Sequence, residues 1–147
     1  MKTFGQSAYN FFTTLKPDFS LPDGIQFLLP YENPFARKTT QKFFQKFYND
    51  SNERIFIIGI NPGRLGAGTT GIAFTDPVRL ANECGIKNSF SKKSELSSSF
   101  IYDLINAYGG VKSFYEEFFL TSICPLGFTK DNKNINYYDD KILLQSS

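Results

Sequence analysis

The amino-acid sequence predicts an α/β layered fold with a parallel sheet, on three observations. Arg54–Ile60 (RIFIIGI) is a short, β-branched, almost wholly apolar run bounded by polar residues, the pattern of a strand buried on both faces. Glu116–Ile123 (EEFFLTSI) reads as a second strand, stopped by Pro125. A helical segment, Phe100–Tyr108, lies between them, and strand, helix, strand is the order of a right-handed parallel crossover.

The elements follow along the chain. Phe4, Ala8, Phe11, Phe12 and Leu15 recur at helical spacing, and Pro17 closes that first helix. Pro17, Pro22, Gly24, Pro30 and Pro34 punctuate the next segment so densely that 17–35 reads as an irregular ordered loop. Thr39 or Thr40 caps a second helix to about Tyr48, with Phe43, Phe44, Phe47 and Tyr48 on one side and Lys42 and Lys46 on the other. Polar residues 49–52 end it. Beyond the first strand come a glycine-rich loop, a short helix over Val78–Cys84 and a polar Ser/Lys loop over Ser91–Ser99. The helix ended by Gly109-Gly110, the second strand and the start of another helix at Asp139–Leu144 complete the reading. Two parallel strands alone do not make a stable sheet, so residues 1–147 are expected to form a single unit, the N-terminal part of a longer domain.

Length and composition bound the function. A chain of 147 residues with 41% hydrophobic content makes one domain of ordinary size. Sixteen Lys+Arg against 14 Asp+Glu give a net charge of +2, so any nucleic-acid surface has to be local. Arg37, Lys38, Lys42 and Lys46 on the second helix form one such strip. The 17 Phe and 8 Tyr, with no Trp, read mainly as core fillers. The absence of histidine excludes imidazole catalysis and His-ligated metals. Cys84 and Cys124 form neither a zinc motif nor a disulfide framework. No apolar run is long enough for a signal peptide or a membrane span, so a soluble, cytoplasmic protein without cofactor or metal is expected.

Chemical information is densest at Gly59–Pro77 (GINPGRLGAGTTGIAFTDP), past the carboxyl end of a strand, where α/β folds bind ligands. Gly66, Gly68 and Gly71 spell GxGxxG, yet the first glycine stands well past the strand and no helix is expected directly behind it. Gly63–Thr70 has the glycine spacing of a P-loop, with threonine where the phosphate-binding lysine must be. A purely structural turn opened by Asn61-Pro62 stays open beside a ligand-binding loop.

GINPG at Gly59–Gly63, TGIAF at Thr70–Phe74 and the following Asp76-Pro77 resemble the first motif of the uracil-DNA glycosylase superfamily. The GINPG form is similar to that of the mismatch-specific branch. FFLTSICPLGF at Phe118–Phe128 and NPF at Asn33–Phe35 resemble the single-strand-selective monofunctional branch, so the similarity runs from about Tyr31 to Phe128. The resemblance implies a three-layer α/β/α fold with a short parallel central sheet, incomplete at its C-terminal side. It also implies a monofunctional glycosylase of base excision repair, a monomer whose partner is DNA carrying uracil or a damaged base. In that resemblance Asn61 orients the hydrolytic water, Phe74 stacks on the extruded base, and the backbone around Ile60 and Gly63 donates to base carbonyls. Ser122 falls in the base pocket and Arg64 at a phosphate.

Two departures qualify the implied activity. Ser122 stands where the single-strand-selective branch carries Asn, and one hydroxyl lacks the paired contacts by which an amide separates uracil from cytosine. The family's His-Pro-Ser type loop has no counterpart in a chain without histidine, so this chain alone is expected to be weak or inactive, with that loop beyond Ser147. The alternative is a catalytically impaired relative that binds single-stranded DNA or a nucleobase.

Overall fold

The computed structural model describes residues 1–146. Helix α1 spans Phe4–Thr14, and Thr3 opens it with a capping box: its hydroxyl accepts from the Gln6 N–H while the Gln6 side chain accepts from the Thr3 N–H. Strand β1 (Ile25–Leu28) lies inside the segment expected to be irregular, because Pro22 and Pro30 fall just outside it and leave four residues free to pair. Helix α2 (Pro34–Phe47) starts five residues before Thr39. Asn33 caps it by accepting from the Phe35 N–H, and Pro34 sits in the first turn. Thr39 and Thr40 are instead buried inside the helix.

Strand β2 (Ile55–Gly59) is followed by the one-turn α3 (Ala67–Thr70) and by α4 (Pro77–Asn82). Helix α5 (Leu96–Tyr108) begins within the stretch expected to be a polar loop, and α6 (Val111–Glu117) fills the space before β3 (Phe118–Ser122). Strands β4 (Gly127–Lys130) and β5 (Lys133–Ile135) form a hairpin that sequence reasoning missed, and α7 (Lys141–Ser146) comes last. The hairpin turn is Asp131-Asn132, both in the left-handed region at φ 52° and 59°, as a two-residue type I′ turn requires.

Strands β2 and β3 pair in parallel from Ile55 opposite Phe118 to Gly59 opposite Ser122. A separate antiparallel sheet has the order β1-β4-β5. Paired residues of a parallel sheet share a face, and the ring contacts assign the layers. Phe119 meets Phe4 of α1 at 5.0 Å and Tyr48, at the end of α2, at 5.5 Å. Phe118 meets Phe114 of α6 at 4.9 Å and Tyr108 of α5 at 5.3 Å. Helices therefore pack on both faces of β3, the layering the sequence predicts. Arg54 ties the aromatic layer down: its Nε donates to the Tyr115 carbonyl at 3.0 Å, its Nη2 meets Asp50 at 2.8 Å, and its guanidinium lies over Phe4 and Tyr48.

One expectation needs correction. Strand β2 is not buried on both faces: Ile55 and Ile58 are each 59% exposed and Phe56 53%. Among the described residues β3 is its one strand neighbour, so its other edge is open.

Helices α1 and α2 meet at Gly5, whose N–H donates to the Tyr48 carbonyl at 2.8 Å. A Cβ there would lie 2.8 Å from the Phe44 oxygen and 2.9 Å from that of Tyr48, both backbone atoms that cannot turn aside. Gly5→Ala should therefore destabilise the fold by about 1–3 kcal/mol through overpacking, read as a lower denaturation midpoint. An unchanged midpoint would refute this crossing.

Candidate active site

The parallel strands end side by side at Gly59 and Ser122, and the loop after β2 folds back over them. Phe74 rests on Gly59: a Cβ there would lie 2.4 Å from the ring's Cζ, so only glycine lets the ring settle on the strand end. Phe74 itself has φ 53°, a left-handed backbone rare for a bulky residue and one that collects at functional sites. Its surroundings enforce it. The buried Thr70 hydroxyl donates to the Thr75 carbonyl at 2.6 Å and accepts from the Ile72 N–H at 3.1 Å, while Thr40 donates to the Thr70 carbonyl at 3.0 Å. The Tyr31 hydroxyl donates to the Gly71 carbonyl.

Asn61 stands two residues past β2, and its amide is held at both ends. Nδ2 donates to the carbonyls of Pro62 and Ile135, each at 3.3 Å, and Oδ1 accepts from the Tyr137 N–H at 3.1 Å. The Arg64 N–H donates to Asn134 Oδ1 at 2.7 Å, so residues 134–137 lie along the glycine-rich loop. The amide orientation is fixed, with one Oδ1 lone pair left to accept from a further donor.

These groups surround a cavity of about 160 Å³ lined among others by Asn61, Gly63, Phe74, Glu95, Ser122 and Asn134. Of the residues expected at the site, Asn61, Gly63, Phe74 and Ser122 are brought together. Ile60 and Arg64 do not line the cavity: the Ile60 side chain is 44% exposed and its carbonyl accepts from the Cys124 N–H at 3.1 Å. The Arg64 guanidinium has no ion pair among the described residues. In the basic strip Arg37, Lys38 and Lys42 are exposed, whereas Lys46 donates to the Cys84 carbonyl at 2.7 Å. Among the described residues no three His, Cys, Asp or Glu side chains converge as a metal site, and no helix is long and apolar enough to cross a membrane. The one-turn α3 does open directly behind Gly66, against expectation, but runs for only four residues.

Sequence reasoning missed Glu95, the cavity's one ionisable side chain. It precedes α5, and its N–H donates to Asp76 Oδ2 at 2.8 Å. The buried Asp76 also caps α4 by accepting from the Arg79 N–H at 2.8 Å, so one carboxylate aligns the starts of two helices. The Glu95 carboxylate does not cap its own helix. It turns toward the glycine-rich loop, where a Cβ on Gly63 would lie 2.2 Å from Oε1 and one on Gly66 1.8 Å from Oε2. The available signal was Ser94-Glu95 ahead of an apolar helical run.

This geometry sets an amide, an aromatic face and a carboxylate around one cavity at the carboxyl ends of parallel strands, the place where α/β proteins bind ligands. The chain belongs to the uracil DNA glycosylase superfamily, whose family model matches residues 45–142. Among solved structures it is similar to wild-type SMUG2 of Pedobacter heparinus, with 44% identity, a TM-score of 0.93 and 99% of this chain covered. The chain spans 65% of that protein's length. That likeness agrees with the single-strand-selective branch that the CPL strand suggests. No curated protein matches the chain.

Burial raises the Glu95 carboxyl above its ordinary pKa, helped by nearby Asp76 and opposed by hydrogen bonds from Ser98 and Ser97. A raised folded-state pKa means that ionisation disfavours the folded state, and the penalty fades as pH falls to the ordinary glutamate value. Glu95→Gln should therefore raise the thermal midpoint at pH 7 by a few degrees, and the gain should vanish near about pH 4. A variant less stable than the parent at pH 7 would refute it.

Proposed function

We propose that the protein is a monofunctional DNA glycosylase that hydrolyses the N-glycosidic bond of a flipped-out uracil or related damaged base, with Asn61 orienting the water. One observation carries the reading: in a chain of this superfamily, Asn61, the strained Phe74 and Ser122 meet around one cavity at the strand ends. Glycosidic cleavage develops an oxocarbenium-like sugar and an anionic base, so the site has to hold a water at C1′ and receive the base from the stack. The remaining Oδ1 lone pair of Asn61 suits the first task, since the other amide atoms are occupied and the group cannot rotate. The Phe74 ring suits the second. An amide is a weak base, so the expected rate is modest.

The same proposal extends to the domain. The open edge of β2 and the exposed Ile55, Ile58 and Ile60 call for a covering element, and SMUG2 is longer than this chain. Further polypeptide of the same domain would supply it, together with groups that stabilise the leaving base. The protein acts on DNA as a cytoplasmic monomer, with Arg64 and the α2 strip as phosphate contacts.

A second reading has its own support. With Ser122 in the pocket and no histidine in the chain, the site suits binding of single-stranded DNA or a nucleobase without cleavage. Alkali cleavage of abasic sites in uracil-containing oligonucleotides separates the two. The full native protein should give strand breaks that Asn61→Ala reduces about a hundredfold or more. Salt-dependent DNA binding without breaks would favour the binding module.

A further inference from the structure

Glu95 has a place in the cavity that nothing so far explains. Its backbone belongs to the start of α5, yet its carboxylate reaches across to Gly63 and Gly66 and occupies the space their side chains would fill. Two glycines of the loop thus border the place one carboxylate takes. A glutamate at a helix start is stabilised most simply by full solvation or by capping the helix; Glu95 is half-buried and makes no cap bond. Burial disfavours its ionised form, against hydrogen bonds from Ser98, at 3.4 Å, and Ser97. A strand-end loop therefore accommodates an acceptor-only group whose ionised form burial disfavours.

The ligand chemistry follows. Deamination of cytosine replaces the ring acceptor N3 by an N3–H donor, and deamination of adenine does the same at N1. An ionised carboxylate accepts and never donates. Facing N–H it forms a charge-assisted hydrogen bond, and facing a bare ring nitrogen it opposes lone pair to lone pair, leaving two polar groups unpaired. A site built to bond a donor rejects the analogue lacking it far more strongly than a hydrophobic pocket rejects a change of shape. Ser122 cannot supply this discrimination, because its hydroxyl rotates to suit either partner. The cavity, about 160 Å³, suits a six-membered ring, since a cavity of roughly 150 Å³ accommodates benzene.

Resting on the glycosylase reading, we infer that Glu95 is a specificity-determining residue that accepts the ring N–H of a deaminated base and excludes cytosine and adenine. Asn61 orients water, Phe74 stacks, and Glu95 reads the edge.

The test uses the full native protein and its Glu95→Gln, Glu95→Asp and Asn61→Ala variants. Cleavage and anisotropy-measured binding are compared on single-stranded oligonucleotides carrying one uracil or, at the same position, one cytosine. Gln keeps the shape but can present NH₂ to cytosine N3, so the uracil-to-cytosine ratio should fall about tenfold or more. Asp remains acceptor-only and withdraws by one methylene, so it should lower efficiency on uracil while keeping the ratio. An unchanged ratio in Glu95→Gln, or equal losses on both strands in both Glu95 variants, would reduce Glu95 to a loop prop and overturn the inference. The glycosylase reading would stand in that case if Asn61→Ala still abolished cleavage. Wild-type protein that neither cleaves nor prefers uracil would overturn both.

Discussion

The site depends on one interaction, the clamp of the Asn61 amide between two sheets. Asn61 belongs to the loop after β2, while its partners at Ile135 and Tyr137 follow the β4–β5 hairpin. The hairpin is brought there by β1, which pairs with β4, and by Gly127, where a Cβ would lie 2.7 Å from the Pro62 carbonyl. Each neutral hydrogen bond contributes only about 0.5–1.5 kcal/mol. Their joint effect is directional: three bonds leave the amide a single orientation, so on the proposed reading the packing of both sheets aims the lone pair that holds the water.

The loop between Asn61 and Asp76 shows the same logic in backbone form. Its glycines are not a phosphate cradle. Gly59 makes room for the Phe74 ring, Gly63 and Gly66 for the Glu95 carboxylate, and Gly71 takes a left-handed φ of 78° to end α3. The left-handed Phe74 costs on the order of 1–3 kcal/mol and persists because buried hydroxyls of Thr40 and Thr70 hold the chain on either side. On the proposed reading, the packing that holds this backbone also presets the Phe74 ring as a stacking surface.

The parallel strands, their crossover and the strand-end loop were legible because buried apolar runs and glycine clusters are local signals. The second sheet was not. Strand β1 is four residues between prolines, and β4 and β5 are short and partly polar, so only tertiary pairing makes them strands. The Asp131-Asn132 turn was the one local clue. The early start of α2 was legible in Asn33-Pro34 and was outweighed by the threonines, whose hydroxyls bond inside the fold. Asn61, Phe74 and Ser122, which the structure brings to one cavity, were singled out through the resemblance of GINPG, TGIAF and FFLTSICPLGF. Glu95 was not, because Ser94-Glu95 signals a helix start at most, and the place of its carboxylate comes from that start folding back on a loop far away in sequence.

On the proposed reading, a carboxylate in this cavity sets selectivity against rate. As the glycosidic bond breaks, negative charge spreads over the leaving base, and an ionised Glu95 beside it is a like charge. At about 4 Å and an effective dielectric near 20 the repulsion is on the order of 4 kcal/mol, larger than a single neutral hydrogen bond. Burial relieves part of this conflict, because a carboxyl whose ionised form is already disfavoured takes a proton more readily as the anion forms. The N–H that identifies the deaminated base lies on the same hydrogen bond, so reading the base and tolerating its departure draw on one shared proton. On the proposed reading, a site with no imidazole among its described residues combines a fixed amide for the water with a poorly solvated carboxylate for the base. It gains discrimination at the ring nitrogen and accepts a slower bond cleavage in return.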